Sequence, residues 1–215
     1  LEVALRVPAE IDVASELAFS ISFDALPEGR QRRQYLVCLG QVLQTRGDPF
    51  GPQRALFEQG VRAWPEEEVL WCWLYLASDR ARQEELLRSA LAHHPESARL
   101  RFYLGNVLRQ QGARGEALAT WVDAVQKGQR EPRFLLAVYQ LAQELEDGRR
   151  ADVLREVILS GQPQSAQESL DLARFATKEG RAARALEVID QGLSRDPYDR
   201  DLRRCKADTL FGQGK

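Results

Sequence analysis

With 215 residues, 44% apolar and 29% charged, the chain can fill a core and lacks the composition of a disordered segment. Its 30 basic and 32 acidic residues, a net charge of −2, leave no basic excess, so no nucleic acid is expected among its partners. No stretch approaches the length of a membrane-spanning apolar helix, so no membrane span is expected either.

In chain order, residues 1–7 alternate weakly as a strand before Pro8, and Ile11, Ala14, Leu17, Ala18 and Ile21 are spaced as one helix face, which predicts a helix over 11–24 within an N-terminal segment 1–29. From residue 30 the apolar spacing stays helical, as in Leu36, Leu39, Gly40 and Leu43 or in Leu100, Leu104, Val107 and Leu108. Gly47, Gly112, Gly148 and Gly180 supply turns within helix pairs, while Pro65, Pro95, Pro132, Pro163 and Pro197 mark boundaries between them. The pairs fall at about 30–66, 67–97, 98–131, 132–165 and 166–199, with a partial pair at 200–215.

A period of 34 residues runs through this array. Ala117, Ala151 and Ala185 are successive members, as are Pro163 and Pro197, Gly180 and Gly214, and Ala90 and Ala124. Leu104, Gly105, Ala117, Trp121 and Ala124 form one unit of it, and Leu172, Ala173, Ala185, Ile189, Gly192 and Pro197 another. Leu39, Gly40, Gly47, Phe57, Gly60 and Pro65 form an earlier one with an insertion at 48–52.

This pattern resembles the tetratricopeptide repeat over roughly residues 33 to 215. The resemblance implies an all-α fold, a right-handed superhelical solenoid of antiparallel helix pairs. Small residues let two helices approach closely, and bulky ones fill the gaps between them. In this register 1–29 becomes the second helix of an incomplete repeat. With no methionine, even at residue 1, and an array that stops midway through a pair, the expectation is a piece of a longer protein.

Three departures stand out. Pro65 and Pro95 are 30 residues apart, four short of a period, which predicts a shortened first helix or a tight turn near Ser78 and Asp79. In 132–165 Tyr139 replaces the usual small residue and Arg155 the large apolar one, so strain or a shift is expected there. Trp71, Cys72, Trp73 and Tyr75 give a second resemblance, to the half-a-TPR repeats of RNA-processing scaffolds.

Catalytic chemistry leaves no signature. The metalloprotease, nucleophile-elbow, phosphate-loop and dinucleotide motifs are all missing, so neither enzymatic activity nor a cofactor is expected. His93 and His94 close a predicted helix before Pro95, where cations suit the helix dipole, and a surface role is expected for them. Glu66, Glu67 and Glu68 read as a solvated helix start rather than as a metal site. Cys38, Cys72 and Cys205, odd in number and without metal-ligand spacing, read as small core residues; they favour a cytoplasmic location and leave a periplasmic one open.

In the tetratricopeptide family the first helix of each pair lines a concave face. Carried onto this chain, that implies Arg99, Phe102, Asn106, Arg109 and Gln110 from one repeat, Arg133 and Gln140 from the next, and Arg174 and Lys178 from the one after. Arginine grips carboxylates in two-point contacts and side-chain amides pair with extended backbone, so the implied partner is a protein or peptide, acidic or otherwise carboxylate-bearing. Family members that bind chaperone C-termini pair a Lys with an Asn; here Asn106 is present but Phe102 stands in place of the Lys, so that activity is not expected. Two other roles fit the same fold: a targeting arm of a larger enzyme or envelope-assembly protein, and an RNA-processing scaffold.

Overall fold

The computed structural model describes residues 29–47 and 49–212; the strand expected over 1–7 and the helix expected over 11–24 lie outside them. The described residues are all helix and turn. Eleven α-helices follow one another in antiparallel pairs: α1 (Arg30–Arg46), α2 (Arg54–Ala63), α3 (Glu68–Ala77), α4 (Arg80–His93), α5 (Ala98–Gln110), α6 (Arg114–Gln126), α7 (Pro132–Glu144), α8 (Gly148–Leu159), α9 (Ala166–Lys178), α10 (Ala182–Arg195) and α11 (Arg200–Gly212). The chain divides into two compact units, 1–120 and 121–215, and α6 begins in the first and ends in the second.

In the first unit α1 stops at Gly47, whose φ of 71° lets its N–H donate back to the carbonyls of Leu43 and Gln44. The insertion that follows makes a 3₁₀ turn at Gly51–Gln53 and folds Phe50 back onto Phe57 and Trp73. Leu36, Leu39, Leu43, Phe57, Leu70 and Leu87 are fully buried and form the core, each contributing roughly 1.5–3 kcal/mol by leaving water. Gly40 sets the spacing of α1 and α3, because a Cβ there would lie 2.3 Å from Trp73 Nε1.

The short pair closes by both of the expected means. Helix α3 has only 10 residues, and α4 begins two residues after Ser78. The carbonyls freed by this turn are taken up by side chains: Ser78 Oγ donates to Leu74 O at 2.7 Å, and Gln83 Nε2 donates to Tyr75 O and Ser78 O at 3.3 and 3.2 Å. Of the two histidines expected at the surface, His93 is exposed and His94 half-buried, and both make contacts there. His93 stacks on Trp71 with ring centroids 5.4 Å apart. His94 Nε2 lies 2.9 Å from Pro65 O, which also accepts from Trp71 Nε1 at 2.9 Å. A carbonyl only accepts, so Nε2 carries the proton, and the pair is tethered to the loop before it.

The helices that begin in the second unit start with side-chain caps, α10 excepted. Glu131 accepts from the N–H groups of Arg133 and Phe134, Asp147 from Arg150 and Ser165 from Glu168, while Asp199 accepts from Leu202. Trp121, Leu154, Ile189 and Leu202 are fully buried, with Phe134 edge-on to Trp121. Gly192 lets α10 approach closely, since a Cβ there would lie 2.7 Å from Leu202 Cδ1.

One expectation is overturned in this unit. Gly148 does not make the turn between α7 and α8; it is the first residue of α8, and Glu146 takes the left-handed conformation with φ 54°. Residue 146 lies one period from both Gly112 and Gly180, which have φ 85° and 72°, so the repeat keeps the backbone geometry and loses the glycine. The two unusual residues of this pair, Tyr139 and Arg155, are accommodated by hydrogen bonds. Tyr139 is buried, edge-on to Phe175, and its hydroxyl donates to Glu179 at 3.0 Å while accepting from Gln143 at 2.9 Å. Arg155 Nε donates to the other oxygen of Glu179 at 2.8 Å and its guanidinium lies over the Tyr139 ring. Glu179, from the next pair, thus satisfies both departures at once.

Candidate partner-binding site

The nine residues implied as a binding face all lie on first helices and none is buried. On α5, Arg99, Phe102, Asn106, Arg109 and Gln110 share an arc of roughly 100° on the side away from Leu100, Leu104 and Leu108. Phe102 and Asn106 are half-buried and the other three are exposed. Arg99 lies close enough to Cys72 of α3 and to the half-buried Tyr103 for its charge to favour their ionised forms, against the larger effect of burial. This group belongs to the first unit.

In the second unit Arg133 and Gln140 on α7, and Arg174 and Lys178 on α9, are exposed. None of these four side chains makes a hydrogen bond or ion pair with another described residue, whereas on the second helices α8 and α10 every arginine except Arg149 is engaged. Arg150 pairs with Asp147 and Arg155 with Glu179; Arg184 binds the Leu159 and Gly161 carbonyls, and Arg195 that of Pro163.

Arg174 opens onto a polar cavity of about 470 Å³ between α9 and α11, lined also by Thr177, Arg204, Cys205, Asp208 and Thr209. Thr177 Oγ1 and Thr209 Oγ1 meet at 3.3 Å. Arg204 and Asp208 escaped the sequence reading because the register was followed into the partial pair for its small residues but not for the binding-face positions. One period from Leu170 and Arg174, they occupy the same first-helix positions.

Burial holds two of the thiols in the protonated form. Burial pushes the Cys72 thiol up to about 11, outweighing the neighbouring Arg99, and burial also raises that of Cys205 against a hydrogen bond from Thr209. Among the described residues there is no group of three or more His, Cys, Asp or Glu side chains placed to hold a metal ion. No described helix is long and apolar enough to cross a membrane.

Comparison with known proteins gives the fold a name. No protein-family model matches the sequence, and no curated protein matches it significantly. Solved structures do. The Pseudomonas aeruginosa pilF structure matches with a TM-score of 0.54 and 16% identity over 92% of this chain and 99% of that one. Acl4, an assembly chaperone of RpL4, matches with a TM-score of 0.52 and 16% identity over 96% and 90%. TTC0263, a thermophilic TPR protein of Thermus thermophilus, matches with a TM-score of 0.49 and 21% identity over 83% and 99%. The chain has the tetratricopeptide-type fold of sequential antiparallel helix pairs.

Proposed function

We propose that the chain is a non-enzymatic scaffold that holds an extended, carboxylate-bearing segment of another protein against the first helices of its pairs. The observation that carries this reading is the uncommitted charge on α7 and α9. The side chains of Arg133, Arg174 and Lys178 are exposed and unpaired, while the arginines of α8 and α10, Arg149 apart, are spent on structure. A guanidinium with no hydrogen-bond or ion-pair partner among the described residues keeps its two-point geometry for a carboxylate from outside. Gln140, and Asn106 and Gln110 on α5, add amides that match an extended backbone, and Phe102 offers a ring for an apolar side chain.

Affinity capture with mass spectrometry in the native host tests the proposal. Charge reversal at Arg99, Arg109 and Arg174 is expected to weaken recovery of the protein captured by the unmodified chain. Equal recovery by both would move the site off this face.

A further inference from the structure

The second unit carries another opening that none of these residues lines. At the ends of α7, α8 and α9 lies a cavity of about 520 Å³ floored by Leu135, Leu136, Ile158 and Leu172. Beside it, between α6 and α8, runs a groove of about 560 Å³ over Val122, Val125, Val153 and Val157. Arg130 and Val157 line both, so the two adjoin.

Helix α8 explains why apolar surface is left here. Ala151, Leu154 and Ile158 make its core stripe, and Val153 and Val157, one turn apart, make a second stripe that faces the groove. Val153 is 58% exposed, so the second stripe is open to solvent.

The charges around this surface are unevenly placed. Over the groove stand Arg130, Arg149 and Arg150 against the single carboxylate Asp147, which is paired with Arg150 at 2.8 Å. Arg130 donates to the Val125 and Gln129 carbonyls, which fixes it at the junction, and Arg149 has no partner among the described residues. At the cavity the acidic residues are Glu131 and Glu168, both accepting backbone N–H groups at the starts of α7 and α9. A carboxylate is therefore favoured over the groove and disfavoured in the cavity, while an apolar side chain is favoured in the cavity.

We infer that this surface is a second docking site, distinct from the first-helix face, for a protein segment in which a large apolar residue sits beside acidic ones. The apolar residue fills the cavity floored by Leu135 and Leu172, and the acidic residues lie along α8 toward Arg149. Burying one large side chain in such a cavity gives a site that is weak or avidity-dependent on its own.

The test is amide chemical-shift mapping of the full chain with a capped tetrapeptide of one phenylalanine and two glutamates, alongside the same peptide with glutamines. Saturable shifts are expected at Val153, Val157, Ile158 and Gly161, with the glutamine peptide binding several-fold more weakly. Arg149→Glu and Val153→Asp, both at exposed positions, are expected to weaken the shifts at these four residues about tenfold with unchanged circular dichroism, and a combined Arg133→Glu and Arg174→Glu variant, which removes charge from the first-helix face, to leave the shifts at these four residues unchanged. Shifts confined to the first helices, equal binding of the two peptides, or no saturable shift would each overturn the inference.

Discussion

The pairs α3–α4 and α7–α8 both break the repeat, and they recover from the break in opposite ways. The first loses residues and closes with rings and backbone acceptors: Trp73 lies on Gly40 and stacks on Phe50, and Ser78 and Gln83 satisfy the shortened turn. The second keeps its length, accepts a buried tyrosine and an arginine where small and apolar residues belong, and satisfies both through Glu179. A helical repeat thus tolerates a geometric defect by filling space and a chemical defect by completing hydrogen bonds. The two repairs should fail under different insults.

The largest effect is expected at the geometric repair. Gly40→Ala places a methyl group against the Trp73 indole and is expected to destabilise the first unit by about 2–3 kcal/mol, measured by urea unfolding with tryptophan fluorescence. A change within about 0.5 kcal/mol would mean that the close approach of α1 and α3 is not what Gly40 provides.

Next comes alkali. Burial raises the Cys72 thiol to about 11, above its ordinary 9.0, and raises the Tyr35, Tyr75 and Tyr103 hydroxyls as well, so the folded first unit holds these protons more tightly than the unfolded chain does. The stability they contribute is complete below the unfolded pKa and is lost as pH rises through the folded one. The thiol alone accounts for a loss on the order of 2 kcal/mol between about pH 9 and 11. Cys72→Ala should flatten that part of the pH profile, and an unchanged profile would assign the loss to other groups.

The chemical repair is expected to cost less to break because it is not fully enclosed. Glu179 has 14% of its side chain exposed and Arg155 30%, so Glu179→Leu should cost on the order of 1–2 kcal/mol. Much of that loss should disappear when Arg155→Met is already present, the coupling a double-mutant cycle reads. Additive costs would show that the two residues do not act together. The smallest change is a gain. Glu146→Gly relieves a left-handed backbone and should stabilise the second unit by about 1 kcal/mol in the same unfolding assay.

Much of this architecture is written in local pattern. Helical apolar spacing and the 34-residue register of Ala117, Ala151 and Ala185 were enough to read helix pairs, and the distance between Pro65 and Pro95 foretold the short pair. Contacts between pairs were harder. Nothing near Tyr139 or Arg155 announces Glu179, because the residue that completes their hydrogen bonds lies 40 and 24 positions away. The Gly148 turn was misread for a similar reason: a glycine signals where a left-handed residue is easy, while the register at 146 shows where one is required. His94 and Pro65 illustrate the same limit, a tether set by the packing of two loops. On the candidate face the positions could be counted out in sequence, but which arginines stay uncommitted depends on neighbours from other pairs.

The central claim is that the uncommitted charges on α7 and α9 hold a partner's carboxylates, and selection from a random peptide display library tests it most directly. The unmodified chain and a variant carrying Arg133→Glu, Arg174→Glu and Lys178→Glu would be selected in parallel, with circular dichroism showing that both fold alike. The account predicts that acidic peptides enriched by the unmodified chain bind the variant at least tenfold more weakly, about 1.4 kcal/mol or more. Enrichment of the same peptides by both chains with equal affinity would contradict it.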